Sequence, residues 1–209
     1  MRRFTGLYLD LDQSNRTNDK VDALVRYFED APPEDAAWAV YFLTGAKIPR
    51  GVNSTQLRRW AGEVSGLPDW LIDESYAAVG DLAETIALVL PDGAEARAVG
   101  LEEKPAMQDR GQEGPGFGDG VRLHALVEGE LVPLRELAEE ERRGVILRTW
   151  AGMGRDERLV YNKIITGSFR VGVSKTLVIK ALAQHFKVEP AIMAHRLMGV
   201  FAPTAEAFL

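Results

Sequence analysis

Hydrophobic positions along this chain recur at intervals of three and four residues, and strict alternation of apolar and polar residues is scarce. The pattern predicts helices and almost no sheet. Val21, Leu24, Val25 and Phe28 form one face of a helix that Thr17 or Asn18 can cap. Pro32-Pro33 ends it and opens a second helix, Glu34 to Thr44, which stops at Gly45. Asn53 or Ser54 can cap a third, with Leu57, Trp60, Ala61 and Val64 on one face and Gly66 as its close. Pro68, at a first-turn position, starts a fourth that contains Trp70, Leu71 and Tyr76. After Gly80 comes a more apolar helix, Leu82 to Leu90, which reads as buried and is ended by Pro91.

Periodicity fails over residues 92–120, where glycine, proline and charge take over, as in a connector. Its run Gly114-Pro115-Gly116-Phe117-Gly118-Asp119-Gly120 has the glycine content of a phosphate loop. No strand precedes it and no helix start with Lys-Ser/Thr follows, so it reads as a linker. Val121 to Val132 suggests a short hairpin around Glu128-Gly129. Helices resume near Leu134 and run to the end, with breaks near Gly152–Gly154, Gly167 and Val188–Pro190. The expected fold is all-α, about a dozen helices in two halves, 1–91 and 131–209, joined by the flexible or hairpin-containing connector 92–130. The four tryptophans, Trp38, Trp60, Trp70 and Trp150, stand at helical spacing among aliphatics and read as core.

A short repeat links the halves. Gly51-Val52-Asn53-Ser54-Thr55 is followed by Leu57 and Arg59, and 121 positions later Gly172-Val173-Ser174-Lys175-Thr176 is followed by Val178 and Lys180. Each copy follows an amphipathic helix stopped by glycine (Gly45, Gly167), and an arginine stands just before each (Arg50, Arg170). Two copies of helix, glycine turn and capped helix predict pseudo-twofold symmetry.

A 46% hydrophobic content suits a globular protein with a real core. No cysteine is present, which excludes disulfides, thiolate zinc sites and thiol catalysis and fits a reducing compartment. Arg2 and Arg3 are soon followed by Asp10 and Asp12, unlike a signal peptide, and no apolar run approaches a membrane span. The expected location is the cytoplasm, with no membrane partner.

A net charge of −6 argues at first against nucleic acid. The charge is segregated, however. Residues 142–187 carry Arg142, Arg143, Arg148, Arg155, Arg158, Lys163, Arg170, Lys175, Lys180 and Lys187 against Asp156 and Glu157, and residues 45–60 carry Lys47, Arg50, Arg58 and Arg59 with no acid. Such runs are either solvated faces or anion-binding surfaces. The glycine turns favour the second reading. A helix start presents unpaired backbone N–H groups and a partial positive charge, and Gly51 and Gly172 would let that backbone approach a phosphate. Ser174, Asn53 and Ser54 can cap or donate, and Arg170, Lys175, Arg50 and Lys47 add full charges. Ordinary connecting turns with plain caps would have the same residues.

The run from Tyr161 through Asn162, Lys163, Ile164, Ile165, Thr166, Gly167, Ser168, Phe169, Arg170, Val171, Gly172 and Val173 to Ser174 resembles the signature of the N-terminal DNA-binding domain of ATP-dependent DNA ligases. So do Trp38-Ala39-Val40-Tyr41-Phe42-Leu43, Leu57-Arg58-Arg59-Trp60-Ala61 and Val79-Gly80-Asp81-Leu82-Ala83-Glu84-Thr85-Ile86-Ala87. The resemblance covers nearly the whole chain apart from the connector, and is strongest to the bacterial members. It implies an all-α domain of about a dozen helices on the minor-groove side of nicked duplex DNA. Gly167, Ser168, Arg170, Gly172, Ser174 and Lys175 match the family's backbone-binding loop, and Lys163 falls where the family often has a basic residue. Lys47 to Asn53 matches the counterpart loop less well.

The family attaches AMP to a lysine in Lys-x-Asp-Gly, using ATP and magnesium, in a nucleotidyltransferase domain that is followed by an OB-fold domain. None of the seven lysines here precedes x-Asp-Gly. The chain is therefore expected to be non-catalytic and to hold no cofactor of its own. It would work as a monomer with those two domains as partners, cut from a longer ligase or standing alone. His124, His185 and His195 lack a second ligand at metal spacing, and Asp73-Glu74 and Glu139-Glu140-Glu141 read as solvated faces. Two rivals remain. A helical-repeat scaffold for protein partners would suit the helix pairs. A helix-turn-helix regulator would need base-reading side chains where Leu177, Val178, Ile179, Ala181 and Leu182 stand.

Overall fold

The computed structural model describes residues 1–91, 121–199 and 201–209, so the connector 92–120, with its glycine run, lies outside the described residues. The described chain is all-α, without a strand. Its first six helices are α1 (Arg2–Gln13), α2 (Thr17–Asp30), α3 (Pro33–Leu43), α4 (Ser54–Ser65), α5 (Asp69–Val79) and α6 (Leu82–Val89). The next six are α7 (Leu123–Leu126), α8 (Glu139–Gly152), α9 (Arg155–Thr166), α10 (Lys175–Phe186), α11 (Pro190–Arg196) and α12 (Ala205–Phe208). A π turn, Val127–Leu131, and a 3-10 turn, Pro133–Glu136, join α7 to α8.

The duplication glimpsed at two turns extends to the order of all the described helices. α2 and α8 begin at Thr17 and Glu139, α3 and α9 at Pro33 and Arg155, α4 and α10 at Ser54 and Lys175, and α5 and α11 at Asp69 and Pro190. Those starts lie 122, 122, 121 and 121 positions apart. α1 and α7 begin 121 apart, at Arg2 and Leu123, and α6 and α12 begin 123 apart, at Leu82 and Ala205. The capping chemistry repeats too. The Asn53 side chain accepts from the Gln56 amide and the Ser174 side chain from the Leu177 amide; likewise Asp81 caps α6 and Thr204 caps α12.

Two compact units form, and each draws on both repeats. The first comprises Met1–Lys47, Arg122–His124 and Phe169–Leu209, hence α1 to α3 with α10 to α12. The second comprises Ile48–Val121 and Ala125–Ser168, hence α4 to α6 with α8 and α9. In the first unit α2 packs on α10, α1 on α2, α12 on α3 and α11 on α10. Its core is aromatic. Phe4 lies against Tyr27, Phe42 and Phe169, and Phe28, His185 and Phe186 all meet Phe208. Asp35 on α3 accepts from both the His124 backbone amide (2.9 Å) and its ring Nδ1 (2.7 Å), which ties the start of α7 into this unit. In the second unit α6 packs on α9 and on α4 and α5. Trp60, Trp150 and Tyr161 are fully buried there, and the Trp150 indole donates to Asn162 Oδ1 at 2.9 Å.

Several expectations need correction. The hairpin around Glu128-Gly129 does not form. Val121, Leu123, Leu126, Val127, Leu131 and Leu134 are all buried, and the run from Leu123 onward has helical spacing, which coils residues 123–136 instead. Trp70 is not core: it is 65% exposed on α5, whose one buried residue is Ile72. The helix at the N-terminus is not among those predicted above; Phe4, Leu7, Tyr8 and Leu11 are the buried stripe of α1. α2 starts after Arg16 without a side-chain cap, so neither Thr17 nor Asn18 plays that part. No described helix is long and apolar enough to cross a membrane.

Candidate nucleic-acid interface

Much of the basic segment is already engaged by the protein. Arg143 donates twice to Glu63, at 3.0 and 2.8 Å, and Arg142 donates to the carbonyls of Leu137 (2.8 Å) and Gly51 (3.0 Å). Arg158 is buried and donates to the Pro91 carbonyl at 3.1 Å. Arg58 pairs with Asp73 at 2.6 Å, and Arg59 pairs with Glu139 and, at 3.7 Å, with Glu63. Lys163, 11% exposed, is paired with Asp81, the cap of α6. Burial by itself would raise the Asp81 pKa. Hydrogen bonds from Lys163 and from the Glu84 and Ala83 amides outweigh that and hold the carboxyl below its ordinary value. Elsewhere in the second unit burial raises the Glu130 carboxyl, against the opposing hydrogen bond from Thr149.

In the first unit, the loop from Phe169 to Ser174 is held at alternate residues. Phe169 stacks on Phe4 with ring centres 5.3 Å apart, Val171 is buried, and the Lys20 ammonium on α2 donates to the carbonyls of Val171 (3.3 Å) and Gly172 (3.0 Å). The alternation turns Arg170 outward. It is exposed, and among the described residues its side chain makes no hydrogen bond or ion pair. Gly172 has φ +63, which a side chain would strain. Ser174 then caps α10 with a 3.3 Å bond from Leu177, leaving the amides of Lys175 and Thr176 without intrahelical acceptors. Arg170, Gly172, Ser174 and Lys175 line one hollow of about 450 Å³, together with Phe42 to Gly45 at the end of α3. The Lys175 ammonium, however, donates to the Leu197 carbonyl at 2.8 Å. Lys47 belongs to this unit and is exposed, but it does not line the hollow; its carbonyl accepts from the Tyr41 hydroxyl at 2.8 Å.

The second unit carries the counterpart. Ile48 and Val52 are buried, Arg50 is exposed and donates to the Thr166 carbonyl at 3.2 Å, and Asn53 forms a capping box with Gln56 at the start of α4. Arg50, Gly51, Val52, Asn53, Ser54, Gln56, Arg142 and Thr166 line a hollow of about 300 Å³. Gly51 is required for packing rather than for a turn: a Cβ there would lie 2.5 Å from the Leu134 Cβ and 2.9 Å from the Arg135 nitrogen. The remaining residues singled out in the sequence end α9. Gly167 takes the left-handed conformation at φ +66, the Ser168 amide donates to the Lys163 carbonyl, and the Ser168 hydroxyl lies 2.7 Å from that of Thr166.

The two sets thus fall into separate units: Lys47, Arg170, Gly172, Ser174 and Lys175 in one, Arg50, Asn53, Ser54, Lys163, Gly167 and Ser168 in the other. In each unit a basic loop of one repeat lies by the C-terminal end of a helix of the other. Sequence reasoning missed Lys20 and Arg142, the two cations that hold the loop glycines' carbonyls. The available signal was their shared place as fourth residue of α2 and of α8.

The family described as DNA ligase N terminus matches residues 1–183 of the chain. No curated protein matches it.

Proposed function

This chain belongs to the DNA ligase N-terminus family, and from that premise we propose that it binds duplex DNA through the phosphate backbone, without sequence preference, and does none of the joining chemistry itself. The observation that carries the reading is Arg170: an exposed guanidinium with no acceptor among the described residues, next to the unsatisfied amides at the start of α10. A charge-assisted bond and backbone amides together suit a phosphate oxygen. Contacts of this kind carry no sequence information, as a protein that must act at any nick requires. In a parent ligase the domain would hold nicked duplex from the minor-groove side while the nucleotidyltransferase and OB-fold domains, with ATP and magnesium, adenylate and seal it. A cytoplasmic bacterial enzyme of replication, repair or recombination fits this task.

Two measurements test the proposal. Fluorescence anisotropy with nicked duplexes of unrelated sequence should give the same affinity for each, and a strong preference for one sequence would overturn the non-specific reading. With ATP and magnesium the chain should gain no AMP by mass spectrometry, since no lysine stands in Lys-x-Asp-Gly. An adduct would show that the chemistry is not confined to other domains.

A further inference from the structure

Lys20 is 9% exposed, and no carboxylate pairs with it among the described residues. An ammonium taken out of water without a counter-ion is costly unless its environment uses the charge. Here it donates to the carbonyls of Val171 and Gly172, and it also lies 3.0 Å from where a Gly172 Cβ would be. In a trans peptide the C=O and the following N–H point in opposite directions, and no peptide bond among the described residues is cis. Drawing the carbonyls of Val171 and Gly172 towards Lys20 therefore turns the amides of Gly172 and Val173 away from it. Gly172 is exposed, and Arg170 projects outward two residues earlier.

Arg142 repeats the arrangement in the second unit, where it donates at 3.0 Å to the carbonyl of Gly51, the repeat's equivalent of Gly172. It is the fourth residue of α8, as Lys20 is of α2. In both cases the cation comes from one repeat and the glycine carbonyl from the other.

We propose that Lys20 and Arg142 are a matched pair of positioning residues, each fixing the peptide of a phosphate-binding loop so that its backbone donors face the DNA. The inference rests on the DNA-binding reading above. Neither cation is a phosphate ligand; each acts through the loop it holds.

The test uses the full chain and a short nicked duplex. Lys20→Met keeps the length of the side chain and removes its donors and charge. The variant should fold, as judged by circular dichroism, and bind roughly tenfold more weakly, as the loss of aligned donors implies. Because no ionic phosphate contact is removed, its dependence on salt should stay that of the parent, whereas loss of a true phosphate ligand makes the slope shallower by about 1. In amide NMR spectra the Gly172 and Val173 signals should shift when the duplex is added to the parent chain, and much less in Lys20→Met. Arg142→Met should lose affinity in the same way, and Arg142→Lys, which installs the cation that the other repeat uses, should recover most of it.

A folded Lys20→Met that binds like the parent overturns the proposal, and so does one with a shallower salt slope, since Lys20 would then be a ligand. If Lys20→Met does not fold, the parent titration decides: Gly172 and Val173 amides that do not respond to duplex overturn it. A parent chain that binds no duplex at all defeats the functional reading instead.

Discussion

At residues 169–172 the side chains alternate inward and outward: Phe169 and Val171 anchor the loop, and Arg170 is left in solvent. Arg170→Ala should therefore leave the fold intact and cost roughly 1–3 kcal/mol of duplex binding, with a salt slope shallower by about 1, measured by anisotropy. The matching control removes a charge from the far end of α10. Lys187 takes the left-handed conformation there, at φ +53, so alanine would add strain and glycine is the cleaner substitution. Lys187→Gly should raise the melting temperature, by up to about 1 kcal/mol of stability, and scarcely change DNA binding. Equal loss of binding in both variants would mean that the basic segment acts only as a diffuse field. The placement of Arg170 outside both helices was legible in the sequence. Its freedom was not, because it depends on which cations are consumed by partners such as Glu63, some eighty residues from Arg143.

Helices were legible wherever a stripe of apolar residues met a cap and a stop, as at Asn53 to Gly66. They were missed where local cues conflicted, as at Glu128-Gly129, whose turn-like text is overruled by the buried stripe around it. The two loop glycines look alike in sequence and differ physically. Gly172→Ala should cost about 1–2 kcal/mol through its positive φ. Gly51→Ala should cost more, because backbone and Cβ atoms of the turn before α8 cannot yield to a contact of 2.5 Å. Denaturant melts of the two variants check the order. The start of α6 supplies a pH test. The Asp81 pKa is depressed in the folded state, so its contribution is fully present above the unfolded value near 3.8 and is lost as pH falls through the lower folded value. Asp81→Asn keeps an N-cap but loses the charge that faces Lys163. It should destabilise the chain at neutral pH and flatten the acid limb of the stability curve. An unchanged acid limb would contradict the pairing.

In the molecule as a whole, two glycine turns betray the duplication in the sequence but not its extent, because the six helix pairs among the described residues share register, and two of them side-chain caps, more than residue identity. The sequence also hides the exchange by which each compact unit takes three helices from the first repeat and helices from the opposite end of the second. Composition alone misled, since a chain of net charge −6 keeps its exposed loop cations at particular places. If those cations grip phosphates, the affinity of the full chain for nicked duplex must fall steeply as monovalent salt is raised. Four to six phosphate contacts predict a plot of log K against log salt falling with a slope of about −0.9 per contact, roughly −3.6 to −5.4 in all, the same for unrelated sequences. Binding that is absent, or whose slope is near zero, would show that these loops do not hold phosphates.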